Sequence, residues 1–420
     1  MGILYDQFGR TIPERRQRRP DTRDIFVAQM KDRWSTYPSI GLTPERLAQI
    51  FREADNGEVL RQAELFEEME EKDPHLSSQF QIRKLAVQGL EVEVVPSGED
   101  AQAKKIADFC REALQNLPDW DDYILDLMDS LPKGYSAMEI LWQPSRKEVQ
   151  ISSLRWIHSK KITFRSSVTP RILTEEEPFQ GIDLPPFKVI YHRYKARTGY
   201  DTRAGILRVC AWMYLFKNYA IKDWVSFAEV YGMPLRLGRY EPGASPDDKS
   251  ALLEAVRSLG TDAAGIISRN TEIEFVEAQR TGTLNVYASL VDFCDSQMSK
   301  AILGQTLTSE AGGRNGAGSY ALGSVHAEVR RDLVVADSKA LAKTLTQQLL
   351  RPLVGFNFGW DAPAPKLRFV YENPEDMEKM ARVYKVLQEM GLDMSQEHLS
   401  ERFKAPMRKP GETKLEAGSQ

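Results

Sequence analysis

Between Gly205 and Tyr231 the chain reads GILRVCAWMYLFKNYAIKDWVSFAEVY, and this one element restricts the architecture more than any other segment. At about 1.5 Å per residue it predicts a helix about 40 Å long. Val209, Trp212, Met213, Phe216, Trp224 and Phe227 lie around much of its circumference, more than a single core-facing stripe requires. Burial on several sides, including against a neighbouring subunit, accounts for such a pattern. Gly232 and Pro234 then close the helix: glycine takes the left-handed cap, and proline cannot continue the hydrogen-bond ladder.

Two more long helices follow. One is predicted from about Leu284 to Leu303, with Tyr287, Leu290, Val291, Cys294, Met298 and Ile302 at helical spacing. The other is predicted from Ser324 to about Leu350, where Pro352 stops it. Between the first two helices, residues 234–278 read as a β-α-β-β module. PLRLGRY is strand-like, Ser245-Pro246-Asp247-Asp248 opens a helix that Gly260 ends, and GIIS and TEIEFVEA flank Arg269-Asn270 as a hairpin.

Ahead of these elements, residues 1–42 carry Pro13, Pro20 and Pro38 and read as an arm. Its Arg15, Arg16, Arg18 and Arg19 fit a solvated segment, with contact to DNA or an acidic partner as the other reading. Thr43-Pro44-Glu45 and Asp73-Pro74 are helix starts, and Gly89 ends the helix begun at Asp73. The chain is mainly helical to about residue 130. From Met138 to Tyr194 the runs AMEILW, LRWI, KITF and FKVIYHRY predict strands. From Pro374 a helix is followed by a polar end.

With 420 residues and 42% apolar content, the chain can build two or three cored domains. No signal peptide opens it, and its longest central apolar run, Val209 to Phe216, falls far short of the roughly 20 residues that span a bilayer. A soluble protein is expected. Cys110, Cys210 and Cys294 are widely spaced, which fits buried small hydrophobes in a reducing compartment and offers neither a disulfide framework nor a zinc site. The formal charge of -4, from 60 acids against 56 bases, disfavours tight non-specific binding to nucleic acid.

The glycine stretch AGGRNGAGSYALGS, Ala311 to Ser324, contains two apparent nucleotide motifs. Gly316 to Ala321 spells G-x-G-x-x-A, but a dinucleotide fingerprint must follow a strand, and here a helix precedes it. Gly313 and Gly318 have Walker spacing, yet Ala317-Gly318-Ser319 lacks the phosphate-binding lysine. His75, His158, His192, His326 and His398 are scattered. The acids Glu67-Glu68-Glu70-Glu71 and Asp119 to Asp129 read as solvated helix faces. Ser136 resembles a nucleophile elbow only loosely, because the closing glycine is missing. No catalytic, cofactor or metal site is expected.

An ordered series of segments resembles the portal proteins of tailed bacteriophages, specifically the Mu-like group. The series is Trp224 to Pro234 (WVSFAEVYGMP), Ile266-Ile267-Ser268 before Thr271 to Phe275, Ala301 to Thr308 (AILGQTLT), Ser319 to Gly323 within the glycine stretch, and Leu349 to Val354 (LLRPLV). It covers roughly residues 40–375.

The resemblance implies an α+β portal-type fold: long stem helices, an inserted β-α-β-β clip and an α+β wing, assembled as a ring of usually twelve subunits. Residues 1–42 would be the arm, 43–204 the wing, 205–233 and 284–304 the stem helices, and 234–283 the clip. Residues 305–323 would be the tunnel loop, 324–373 the tunnel helix and return to the wing, and 374–420 a reduced crown and tail. It also implies a non-enzymatic conduit for double-stranded DNA at the capsid portal vertex, assembled in the host cytoplasm. DNA passes without sequence specificity, and a near-neutral charge suits a duplex that must slide. Implied partners are the terminase large subunit, which is the separate ATPase, the major capsid and scaffold proteins, and neck or head-completion proteins; no membrane is involved. Candidate channel residues are Arg314, Asn315, Ser319 and Tyr320, and candidate clip contacts are Arg236, Arg239, Arg269 and Asn270. The rival readings are another head-tail adaptor ring or capsid-associated protein and, from a different class, a nucleotide-binding enzyme using Gly313 to Ser319.

Overall fold

The computed structural model describes residues 20–25, 41–195, 198–231, 236–241, 243–258, 264–268, 283–305, 320–371 and 374–392, together with residues 395, 398, 400 and 403. The chain divides into two compact units, Met1–Phe369 and Val370–Gln420. Helices and short sheets are mixed along it, an α+β fold.

Local chemistry sets the first helices. In α1 (Pro44–Asp55) the Thr43 hydroxyl accepts from the Arg46 amide at 3.2 Å, and proline occupies the first turn, where its missing N–H costs nothing. After α2 (Leu60–Lys72), Asp73 caps α3 (Pro74–Gln88) by accepting from the Leu76 amide at 3.0 Å, and Gly89 is the C-terminal cap. A strand not foreseen from the pattern, β1 (Glu91–Val95), precedes α4 (Ala101–Gln115), α5 (Trp120–Met128) and the single turn α6 (Ser130–Lys133).

The predicted strand runs form two small antiparallel sheets. β2 (Tyr135–Pro144) is central between β3 (Val149–Ile157) and β7 (Val189–Arg193), with Ala137 opposite both Ile157 and Tyr191. β4 (Ile162–Arg165), β5 (Thr169–Ile172) and β6 (Ile182–Asp183) make the second. Tyr135, Ile157, Ile162, Phe164 and Ile172 share a core with Ala54 and Val59.

The long helix is α7 (Leu207–Tyr231). Gly205 precedes it at a close approach, because a Cβ there would overlap the Pro132 carbonyl, and the Ile206 amide donates to the Leu131 carbonyl at 3.1 Å. These contacts fix the origin of α7 against α6. Its first half is buried through Leu207, Cys210, Ala211, Tyr214 and Leu215, in one core with Leu47, Phe66, Met69 and Phe80 of α1–α3. Each fully buried side chain of this size stabilises by about 1.5–3 kcal/mol relative to exposure. All three cysteines are buried.

The inserted module contains β8 (Arg236–Tyr240), α8 (Pro246–Ser258) and β9 (Ala264–Ser268), with the strands parallel and Arg236 opposite Ala264. Ser245 and Asp248 form a reciprocal cap at the start of α8: the Ser245 hydroxyl accepts from the Asp248 amide at 3.2 Å, and the Asp248 carboxylate accepts from the Ser245 amide at 3.3 Å. The predicted fourth element, its hairpin at Arg269-Asn270 and the helix stops at Gly232, Pro234 and Gly260 lie outside the described residues.

Beyond α9 (Thr283–Leu303) come α10 (Tyr320–Leu345), a π-helical turn at Thr346–Leu350, α11 (Arg351–Phe358) and β10 (Lys366–Val370), which pairs with β1. Two expectations are corrected here. Residues 320–323, assigned to a loop, are already helical, and Pro352 does not stop the helix. The π turn resets the ladder before Pro352, which then sits in the first turn of α11 with no amide partner to lose. The second unit contains α12 (Pro374–Glu389), the helix expected from Pro374.

Candidate functional site

Helices α7 and α9 pack as an antiparallel pair. At one end Leu207 to Leu215 share a core with Met298, Ile302 and Leu303; towards the other, the rings of Phe227 and Tyr287 are 6.0 Å apart. Midway, the Lys217 ammonium lies 3.0 Å from both Asp73 carboxylate oxygens and 2.6 Å from Asp295. Burial alone would lower the lysine's pKa, but hydrogen bonds and charges from Asp295 and Asp73 outweigh it and raise the value. Asp73 therefore both caps α3 and binds α3 to the helix pair.

Past this node the pair has no core of its own. From Ile221 to Glu229 no residue is buried, nor is any from Val286 to Phe293. Large apolar side chains nevertheless stand there in solvent: Val225 is 53% exposed, Val286 64% and Phe293 53%, with Ile221 and Leu290 close to 40%. Single exposed hydrophobes are ordinary, but a continuous set along two paired helices marks an interaction surface.

The far end of α9 is fixed by Arg83. Its guanidinium donates to the Ile302 carbonyl at 2.6 Å, to both oxygens of Asp337 on α10 and to the Tyr194 hydroxyl at 3.1 Å. Gly304, at φ +69°, turns the chain out of α9 with a conformation that glycine adopts without strain. The end of α9 and the second half of α10 are thus both anchored to α3.

The α10–α11 segment is fastened to both edges of the β3-β2-β7 sheet. The Gln348 amide accepts from the Tyr191 N–H at 2.6 Å and donates to its carbonyl at 3.0 Å, on the outer edge of β7. The Asn357 amide does the same for Val149 of β3, at 2.8 and 2.9 Å. Each side chain satisfies an edge residue as a neighbouring strand would.

Of the proposed channel residues, Arg314, Asn315 and Ser319 lie outside the described residues, and Tyr320 is the first residue of α10. Of the clip residues, Arg236 and Arg239 lie on β8, opposite Ala264 and Ile267; Arg269 and Asn270 are outside the described residues. A helix, α9, does precede the glycine stretch, as the argument against a dinucleotide fingerprint requires.

The acidic clusters are solvated only in part: Glu71, Asp119, Asp121 and Asp122 are exposed as expected, but others are drawn into the fold. Glu68 is buried, and Asp129 joins Glu70, Lys84 and Lys133 in a charged node linking α2, α3 and α6. Helical periodicity did not expose this, because the cations come from other elements. Ser136 is no elbow: it is buried on β2 and donates to the Leu127 carbonyl at 2.6 Å. His192 lies opposite it, buried, and bonded to the Thr344 hydroxyl at 2.9 Å, with burial lowering its pKa to about 4. Among the described residues no group of three or more metal-ligating side chains converges, and no helix is long and apolar enough to cross a membrane.

Comparison with known proteins supplies the family. Residues 63–405 match the family described as the portal protein of Mu bacteriophage. The Mu-like prophage FluMu protein gp29 of Haemophilus influenzae is 34% identical over 385 residues, which cover 89% of this chain and 72% of the relative. The portal protein of Escherichia phage Mu is 36% identical over 337 residues, covering 80% of this chain and 65% of that protein's length. Among solved structures, a chain in the virion of a native gene transfer agent particle is similar over 86% of this chain and 94% of its own, at 12% identity and a TM-score of 0.49. The sequence matches carry the assignment, and on them the chain belongs to the family of Mu-type bacteriophage portal proteins.

Proposed function

We propose that this protein forms a ring at one vertex of the phage capsid, a dodecamer by the family resemblance, and that double-stranded DNA passes through the ring during packaging and ejection. The observation that carries the reading is the exposed apolar surface along the outer halves of α7 and α9, including Val225, Val286 and Phe293. A ring needs a different patch on each side of the subunit, and a two-helix rod with apolar residues on several sides offers that.

In this reading residues 43–204 are the wing, α7 and α9 the stem, residues 234–283 the clip, 305–323 the tunnel loop, 324–373 the tunnel helix and return to the wing, and 374–420 a reduced crown and tail. Arg314, Asn315, Ser319 and Tyr320 line the channel, and Arg236, Arg239, Arg269 and Asn270 meet the partner at the clip. The terminase large subunit docks there during packaging and neck proteins dock afterwards. The capsid and scaffold proteins surround the ring. The protein itself carries out no enzymatic step; the terminase supplies the ATPase.

Native mass spectrometry and negative-stain microscopy of the purified protein test the reading. A ring with a central hole is expected. A monomer that persists at high concentration, with scaffold protein present, would overturn it. Deleting residues 234–278 separates a portal from another adaptor ring, since loss of terminase binding is expected only for the portal.

A further inference from the structure

Glu139 occupies the central strand of the β3-β2-β7 sheet and is fully buried. A carboxylate in that position is costly unless its oxygens meet donors. Lys188 gives it a local counter-charge, the buried ammonium lying 3.3 Å from Oε1 without a hydrogen bond. A hydrogen-bond donor comes from 114 positions away: the Ile25 main-chain N–H donates to the same Oε1 at 2.7 Å. Arg155 is 3.8 Å from Oε2 and 3.6 Å from Asp24, so it links the carboxylate to the arm a second time. The Ile25 side chain packs against the core formed by Tyr135, Ile157 and their neighbours. Immediately before it, Asp21 accepts from the Arg23 amide at 3.0 Å and from its guanidinium at 3.0 and 3.1 Å, which closes the segment into a turn.

We propose that residues 20–25 are a releasable strap and that Glu139, with Lys188 and Arg155, is the site built to hold it. The site selects an extended main-chain N–H followed by an apolar side chain, with an acid just before them. The grip is small. It consists of one charge-assisted hydrogen bond, an ion pair whose side chains are about half exposed (49% and 56%), and one half-buried isoleucine. Against it stands the entropy of ordering six residues, a cost of the same order. Docked and free states therefore exchange, and residues 1–19, with Arg15, Arg16, Arg18 and Arg19, are tethered to the sheet in one state and released in the other.

Hydrogen exchange of the unaltered full-length chain reads both halves of the proposal. The Ile25 amide is expected to exchange more slowly than in an unstructured peptide and faster than the amides of β2. Exchange at the unstructured rate would show no site, and exchange as slow as β2 would show no release; either result overturns the proposal. Trypsin cleavage after Arg23 supplies a second reading. Ile25→Pro removes the donor, whereas Ile25→Val keeps it, so cleavage after Arg23 is expected to be about ten-fold faster in the proline variant. Equal rates in the two variants would also overturn it. Should Ile25→Pro fail to fold, the exchange measurement decides alone.

Discussion

Arg83 and Asp337, 254 positions apart in the chain, form a buried two-pronged pair, Nε to Oδ2 at 2.7 Å and Nη2 to Oδ1 at 3.0 Å. Each side chain is 4% exposed, and the same guanidinium holds the last turn of α9 through the Ile302 carbonyl. One residue of α3 thus ties the last turn of α9 to the second half of α10.

Removing one partner leaves the other buried and uncompensated. Arg83→Met or Asp337→Leu alone is expected to cost about 3–5 kcal/mol, and the double variant markedly less than the sum. Urea unfolding of the four proteins of the cycle measures the coupling, and additive losses would show that the pair does not act as a unit.

The outer halves of α7 and α9 should be dispensable for folding and essential for assembly. Val225→Asp and Phe293→Asp place charges on side chains that are both 53% exposed in the single chain, so stability is expected to change by no more than about 0.5 kcal/mol. Native mass spectrometry should nevertheless show loss of rings. Rings formed at the normal concentration by both variants would mean that another surface mediates assembly.

The amide clamps predict a local effect. Gln348→Leu leaves both the N–H and the carbonyl of Tyr191 without their partner, a loss of about 1–3 kcal/mol. Faster hydrogen exchange at Tyr191, with β3 unchanged, is the expected signature.

Asp126 provides a dependence on pH. Burial first, then the charges of Asp129 and Asp122, raise its pKa to about 6 from 3.8. A raised carboxyl destabilises the folded state where it must be charged, above about pH 6, and the penalty shrinks as pH falls and is gone below 3.8, where both states bind the proton. Asp126→Asn is therefore expected to stabilise by about 1–3 kcal/mol at pH 7 and by no more than about 0.5 kcal/mol at pH 4. Melting curves at the two pH values check the sign.

Replacing Gly312, Gly313, Gly316 and Gly318 with alanine is expected to leave folding and ring assembly nearly intact while impairing packaging. The yield of packaged DNA from phage carrying the variant measures this, and a normal yield would remove the glycines from the mechanism.

Most elements were legible in the sequence because their causes are local. Thr43-Pro44 and Asp73-Pro74 cap the helices they precede, and α7 and α9 fall within two residues of the ranges read from apolar spacing. The strands β2, β3, β4 and β7 coincide with runs of branched and aromatic residues. The order of short segments was enough for the family, which the comparisons then established. The site residues were another matter: their selection followed analogy, and Arg314, Asn315, Ser319, Arg269 and Asn270 lie outside the described residues.

Only the tertiary structure decided which charges are buried and which distant segments meet. Glu139 lies within an apolar strand run, and nothing in that run announces that its partners are Lys188, Arg155 and the main chain of Ile25. The pairing of β1 with β10, the bond between Arg83 and Asp337, and the passage of the helix through Pro352 are equally silent in any short window. A cap or an amphipathic stripe is determined by residues within a turn of one another, so the sequence alone specifies it. A buried ion pair exists only once distant elements have packed and excluded water, and its identity is therefore a property of the fold.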